Sequence, residues 1–241
     1  MDIFESWIVT TPIARYGLTT EDYPENTTAA IENAVKNNCP VMLSAQSLDD
    51  GTIICYPYKN LSALTSGNGY VQTLSFADVK DLKISNTQYG IITLEAALQI
   101  IDSKVPVMIN IFNEGQIGKV EATIYDLIKN YESPVAIASA NPDTVIWFKE
   151  NASNILRGIR SGKFESKTYG SYKTKKLAKL KYTTECQPDF ILYNACDLPN
   201  RFVKKYNFLP IIAYNVRNEV EYLHAVRYCD NVVCTGFIPS I

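Results

Sequence analysis

WIVTTPIARYGLTTEDYPENTTAAIENA, residues 7–34, decides the fold. It opens on an extended, β-branched run from Trp7 to Ile13 and crosses a loop from Ala14 to Tyr23. It then enters an Ala-rich helix behind Pro24-Glu25-Asn26-Thr27. Asn26 or Thr27 can cap that helix with a side-chain oxygen, and Pro24 stops it extending backwards. A strand feeding a helix through such a loop is the unit of an α/β protein, whose site is built in the loops beyond the strand ends.

The same unit recurs along the chain. Apolar strands are expected at Ile8–Ile13, Val41–Ala45, Thr52–Tyr56, Val105–Ile111, Val135–Ala138, Ile155–Ile159, Phe190–Tyr193, Ile211–Asn215 and Val232–Thr235. Helices are expected at Asn26–Asn37, Ser75–Leu82, Leu94–Asp102, Ile117–Tyr131, Asp143–Asn151, Leu198–Tyr206 and Glu219–Cys229. Near-continuous apolar strands alternating with helices predict a parallel sheet covered on its outer face, and the length suits a (β/α)8 TIM barrel. The segment 47–51, Ser-Leu-Asp-Asp-Gly, is too short for a parallel crossover, and Asp50-Gly51 is a hairpin signal. The second barrel strand therefore runs past the rim and returns as Thr52–Tyr58, leaving eight parallel strands in one domain spanning residues 1–241.

Composition narrows the function. The 241 residues are 46% hydrophobic and 20% charged, with a net charge of −2, which predicts no nucleic-acid partner and no pull towards an anionic membrane. No apolar run reaches the ~20 residues of a membrane span. The start, MDIFESW, lacks the pattern of a secretory signal, so a cytoplasmic protein is expected if Met1 is the natural start. The six cysteines show no CxxC pair or zinc spacing and read as packed thiols. Lys163–Lys181 holds seven lysines against one acidic residue, a solvated segment or a local site for a phosphate-bearing ligand. Thr65–Tyr70 reads as a flexible loop near the same mouth.

Taken in order, several marks make the chain similar to the glycerophosphodiester phosphodiesterase family, a barrel branch of the phospholipase C-like phosphodiesterases. They are Ile13-Ala14-x-x-Gly17, Pro24-Glu25-Asn26-Thr27-x-x-Ala30, Asp50-Gly51, Leu61-x-x-x-Thr65-x-Gly67-x-Gly69-Tyr70-Val71, Ile92-Thr93-Leu94-Glu95-x-x-Leu98 and Asn110-Ile111. The ending, Leu209–Val216 followed by Asp230–Thr235, resembles the family's last two strands. The resemblance implies a barrel whose mouth hydrolyses glycerophosphodiesters to glycerol 3-phosphate and an alcohol, a step of lipid metabolism. It also implies two histidines as acid and base, and carboxylates holding a divalent cation, Mg²⁺ or Ca²⁺. A leaving alkoxide needs a proton, the attacking hydroxyl must lose one, and the phosphorane-like transition state needs its charge neutralised.

Those positions are changed throughout. The family's His-Arg-Gly falls on Arg15, Tyr16 and Gly17, its metal-binding Glu-x-Asp on Met42 and Ser44, and its His-Asp on Pro57 and Tyr58. The carboxylate after Asn110-Ile111 is Phe112, and the lysine beyond it is Glu114. The single histidine, His224, lies in the late helix. Losing two acid–base groups would raise the barrier by roughly 5–11 kcal/mol if their effects were independent. Near the mouth only Glu25, Asp49, Asp50 and Glu114 offer acidic oxygens. Turn formation explains Asp49 and Asp50, and the helix dipole explains Glu25.

No catalytic residue, metal ligand or cofactor is therefore expected. The candidate pocket comprises Arg15, Tyr16, Glu25, Asn26, Met42 and Ser44, together with Tyr58, Asn110, Phe112, Glu114 and Tyr214, with Tyr56 nearby. Arg15 would hold an anionic, glycerol-phosphate-like ligand while the aromatics pack its body. The expectation is a catalytically inactive binding or regulatory protein. The alternatives are an active phosphoric diester hydrolase with a rebuilt site and a structural, oligomer-forming barrel with a plugged mouth.

Overall fold

The computed structural model describes residues 2–85, 87–164 and 169–239. Its first departure from expectation comes at once. Trp7–Thr10 is a single helical turn, α1, and the barrel strand β1 is Ile13–Arg15. Burial overrides the strand propensity of this run. Ile8 is fully buried among the inward-facing residues Ile13, Met42 and Met108, so α1 closes the floor of the barrel. The side-chain amide of Asn231 fastens it, donating to the carbonyls of Ile8 and Thr11 at 2.8 and 2.7 Å.

Helix α2 spans Thr28–Lys36, with Thr27 as its cap, accepting from the Ala30 amide. Asn26, the other candidate cap, takes a left-handed conformation and turns its Oδ1 to the backbone N–H of Ser44. Strand β2, Val41–Ser47, reverses at Gly51 (φ +87°) into antiparallel β3, Ile53–Ile54, so the Asp-Gly hairpin forms where expected. The segment beyond it, including α3 (Phe76–Val79), builds a small core of its own around Leu48, Tyr56, Leu61 and Val71.

The remaining units are α4 Leu94–Ile101, β4 Val107–Ile111, α5 Lys119–Ile128, β5 Val135–Ser139, α6 Pro142–Asn151 and β6 Leu156–Ser161. They are followed by α7 Ser171–Ala178, α8 Thr183–Cys186, β7 Phe190–Asn194, β8 Ile211–Val216, α9 Glu219–Ala225 and β9 Asn231–Cys234. Leu198–Tyr206 is not the expected α-helix. Leu198, held extended by the proline that follows it, and a short 3-10 turn, Val203–Tyr206, take its place.

Parallel pairing runs β1-β2-β4-β5-β6-β7-β8-β9 and returns to β1, with β3 attached to β2 alone. This is the expected TIM barrel with its hairpin. Outward-facing residues pack under the helices in two clusters, around Ile109 and Ile191. Inside, one rung aligns Arg15, Met42, Met108 and Ala136, and the rung above aligns Ser44, Asn110, Ala138 and Gly158. Gly158 is needed there, because a Cβ would lie 2.2 Å from the Phe190 ring.

Ile8→Ala should lower the unfolding free energy by about 2–5 kcal/mol in urea titrations, the cost of emptying a closed floor. Gly158→Ala should cost about 1–3 kcal/mol by overpacking against Phe190.

Candidate functional site

Two arginines come up from the barrel into its mouth. Arg15 ends β1, its guanidinium carbon 4.3 Å from the centre of the Tyr16 ring. Arg160 enters from β6 and sits among aromatic rings, 4.8 Å from Tyr214, 5.3 Å from Phe164 and 5.6 Å from Phe112. Ring faces attract a cation without neutralising it. Among the described residues neither arginine is ion-paired, and the Nε of Arg160 is buried without a hydrogen-bond partner. Burial works against the Arg160 charge, yet the phenol oxygens of Tyr214, Tyr169 and Tyr16 hold its pKa above the ordinary guanidinium value. Burial pushes Tyr214 up to about 12.

Arg160 and Tyr169 are not among the candidate pocket residues the sequence singles out. The signal for Arg160 was available: alternation on β6 turns Gly158 and Arg160 to the same side, and a cation in an apolar barrel strand requires a reason.

The nominated residues divide into three groups. Tyr16 and Tyr214 are buried around the arginines, and Met42 lies below them within the barrel packing. Asn26, Ser44 and Asn110 are buried, and among the described residues Asn26 Nδ2, Ser44 Oγ and both amide atoms of Asn110 have no hydrogen-bond partner. A buried polar atom left unmatched costs about 1–3 kcal/mol, so such atoms gather where water or a ligand completes them. Glu25, Tyr58, Phe112 and Glu114 form the rim. Burial raises the Glu25 carboxyl above its ordinary value, against the downward pull of the Arg15 charge and the Tyr58 hydroxyl. Tyr58 is itself pushed up to about 12 by burial and the nearby Glu25 charge. Glu114 is drawn away to Lys59, 2.6 Å distant.

Beside the arginines opens a cavity of about 570 Å³. Tyr58, Tyr70, Phe112 and Tyr169 supply its aromatic wall, with Lys59 and Lys173 at its edge. Tyr58 and Phe112 therefore bound open space rather than plug it. The wall after β4 hangs on Glu121, a fully buried carboxylate. It accepts from Asn113 Nδ2 at 2.8 Å, Thr144 Oγ1 at 2.7 Å and the Gly118 amide at 2.8 Å.

The donors do not fit a divalent cation. Such an ion takes six or more oxygens, usually with carboxylates among them. Here Met42, Ser44 and Phe112 occupy the strand positions and Glu114 is engaged by Lys59. Among the described residues no group of three or more His, Cys, Asp or Glu side chains comes together. His224 lies on α9, with its Nε2 against the Leu198 carbonyl and its ring against Tyr228, apart from the cavity.

Residues 19–238 match the Glycerophosphoryl diester phosphodiesterase family. No curated protein sequence matches the chain. Among solved structures, an Oleispira antarctica phosphodiesterase in complex with the product sn-glycerol-3-phosphate superposes with a TM-score of 0.78 at 18% identity, covering 94% of this chain and 93% of that one. A glycerophosphodiester phosphodiesterase from Parabacteroides distasonis gives 0.74 at 15% identity, over 93% and 92% of the two chains. One from Thermotoga maritima gives 0.69 at 15%, over 93% and 94%. At these identities the superpositions speak for the fold alone.

The raised Glu25 pKa makes stability pH-dependent. The folded chain holds the proton more tightly than the unfolded one, so stability falls as pH rises from the ordinary carboxyl value of 4.5 through the folded value. Glu25→Gln removes this loss. The variant should match the parent in thermal unfolding at pH 4 or below and exceed it at pH 7.

Proposed function

Because the chain belongs to the glycerophosphoryl diester phosphodiesterase family, we propose that it uses that family's barrel as a non-hydrolysing binding or regulatory protein, whose mouth holds a small phosphate-bearing ligand. The observation that carries this reading is the pair of arginines at the mouth, Arg15 and Arg160, neither of them ion-paired among the described residues. A guanidinium stays protonated at any physiological pH and so serves poorly as a proton shuttle. It is well shaped to hold phosphate oxygens in pairs. The unmatched atoms of Asn26, Ser44 and Asn110 offer further donors and acceptors beneath such a ligand. The Oleispira antarctica neighbour was solved with sn-glycerol-3-phosphate, and a ligand of that chemistry is the first to test here.

One observation favours a second reading, an active diester hydrolase with a rebuilt site. Glu25 keeps a carboxyl of raised pKa beside the Tyr58 hydroxyl, a pairing that could pass a proton to a leaving alkoxide.

A panel of glycerophosphodiesters assayed with Mg²⁺ or Ca²⁺ separates the two. The binding reading expects no turnover above the buffer rate, together with calorimetric binding of sn-glycerol 3-phosphate that weakens about tenfold or more in Arg15→Met. Turnover that disappears in Glu25→Ala or Glu114→Ala would overturn it.

A further inference from the structure

The anion site and the aromatic cavity share two walls. Phe112 lies against the Arg160 guanidinium and also lines the cavity. Tyr169 lines the cavity as well, with its phenol turned to Arg160. Arg160 itself lies just behind the cavity lining, joined to that space through these two rings. The volume, about 570 Å³, falls in the range that encloses drug-sized molecules, well beyond what a three-carbon phosphate fills.

The chemistry of the walls says what the remainder is. Several polar groups facing the cavity are already bonded within the protein. Gln46 Nε2 donates to the carbonyls of Tyr56 and Tyr58, and Thr73 Oγ1 to that of Tyr70. Ser139 Oγ donates to the Ile111 carbonyl and Asn141 Nδ2 to that of Asn113. What stays on offer is chiefly ring faces and aliphatic surface, which suit a flat or apolar body better than a hydroxyl-rich one.

We infer that the mouth binds a phosphate ester whose alcohol part is bulky and weakly polar, with Arg160 holding the phosphate and the cavity of Tyr58, Tyr70, Phe112 and Tyr169 enclosing the alcohol part. This rests on the reading of the mouth as a phosphate-ligand site and goes beyond it in naming the anchor and the ligand class. Arg160 is partly buried, and among the described residues its Nε has no hydrogen-bond partner. A phosphate presents paired oxygens of the kind a guanidinium holds.

Calorimetric titration of the full chain with four probes tests the inference: inorganic phosphate, sn-glycerol 3-phosphate, 1-naphthyl phosphate and 1-naphthol. The expected result is 1-naphthyl phosphate binding at least tenfold more tightly than sn-glycerol 3-phosphate. Arg160→Met should reduce its affinity to that of 1-naphthol. Tyr70→Ala, at an exposed wall position that leaves the barrel intact, should weaken 1-naphthyl phosphate several-fold and leave sn-glycerol 3-phosphate unchanged. The ligand series on the unaltered chain needs no variant to fold. Equal affinities for the two esters, or an Arg160→Met protein that binds 1-naphthyl phosphate as before, would overturn the inference while sn-glycerol 3-phosphate binding still upheld the phosphate reading. No binding of any phosphate probe would overturn both.

Discussion

A strand of three residues, β1, is hydrogen-bonded on one side to β2 and on the other to β9, and through it the sheet becomes a cylinder. Closure leaves no sheet edge on the barrel itself and fixes the parity of every strand. Once Ile13 faces inward, Arg15 must do so too, and its neighbours in register bring Met42 and Met108 to the same level. The contents of the mouth follow from that constraint. Alternate residues are committed to the interior, and evolution can choose only what they are.

What those interior positions hold at the mouth is a pair of cations flanked by aromatic rings. Pairing an arginine with a buried carboxylate would have neutralised the site. Surrounding it with Phe112, Phe164 and Tyr214 keeps the charge available while covering its apolar stem. The packing beneath obeys the same logic. Gly158 gives up its side chain so that Phe190 can cross the barrel below Arg160, and the cation stands on an apolar base.

Much of this was legible in the sequence, for physical reasons. Strands buried on both faces read as unbroken apolar runs, so β2, β4, β5, β7 and β8 were found within a residue or two at most ends. Thr27 and Asp50-Gly51 announced a cap and a turn through local chemistry alone. Trp7–Thr10 was misread because its helix exists only to place Ile8 under a barrel that local sequence does not reveal. Leu198–Tyr206 was misread because its helical spacing contains a proline. Within the site, the family resemblance points to positions that can be read one by one, whereas Arg160 occupies none of them. Tyr70 and Tyr169 reach the cavity from loops and helix starts whose placement is a tertiary matter.

The buried carboxylate of Glu121 bears on how binding at this mouth would be felt. By gripping Asn113, Gly118 and Thr144 together, it ties the rim after β4 to the starts of both α5 and α6. That side of the opening is preorganised: its backbone is already fixed before any guest arrives. A guest resting against it forfeits its own tumbling but need not freeze the host, so a larger share of the contact free energy survives as affinity.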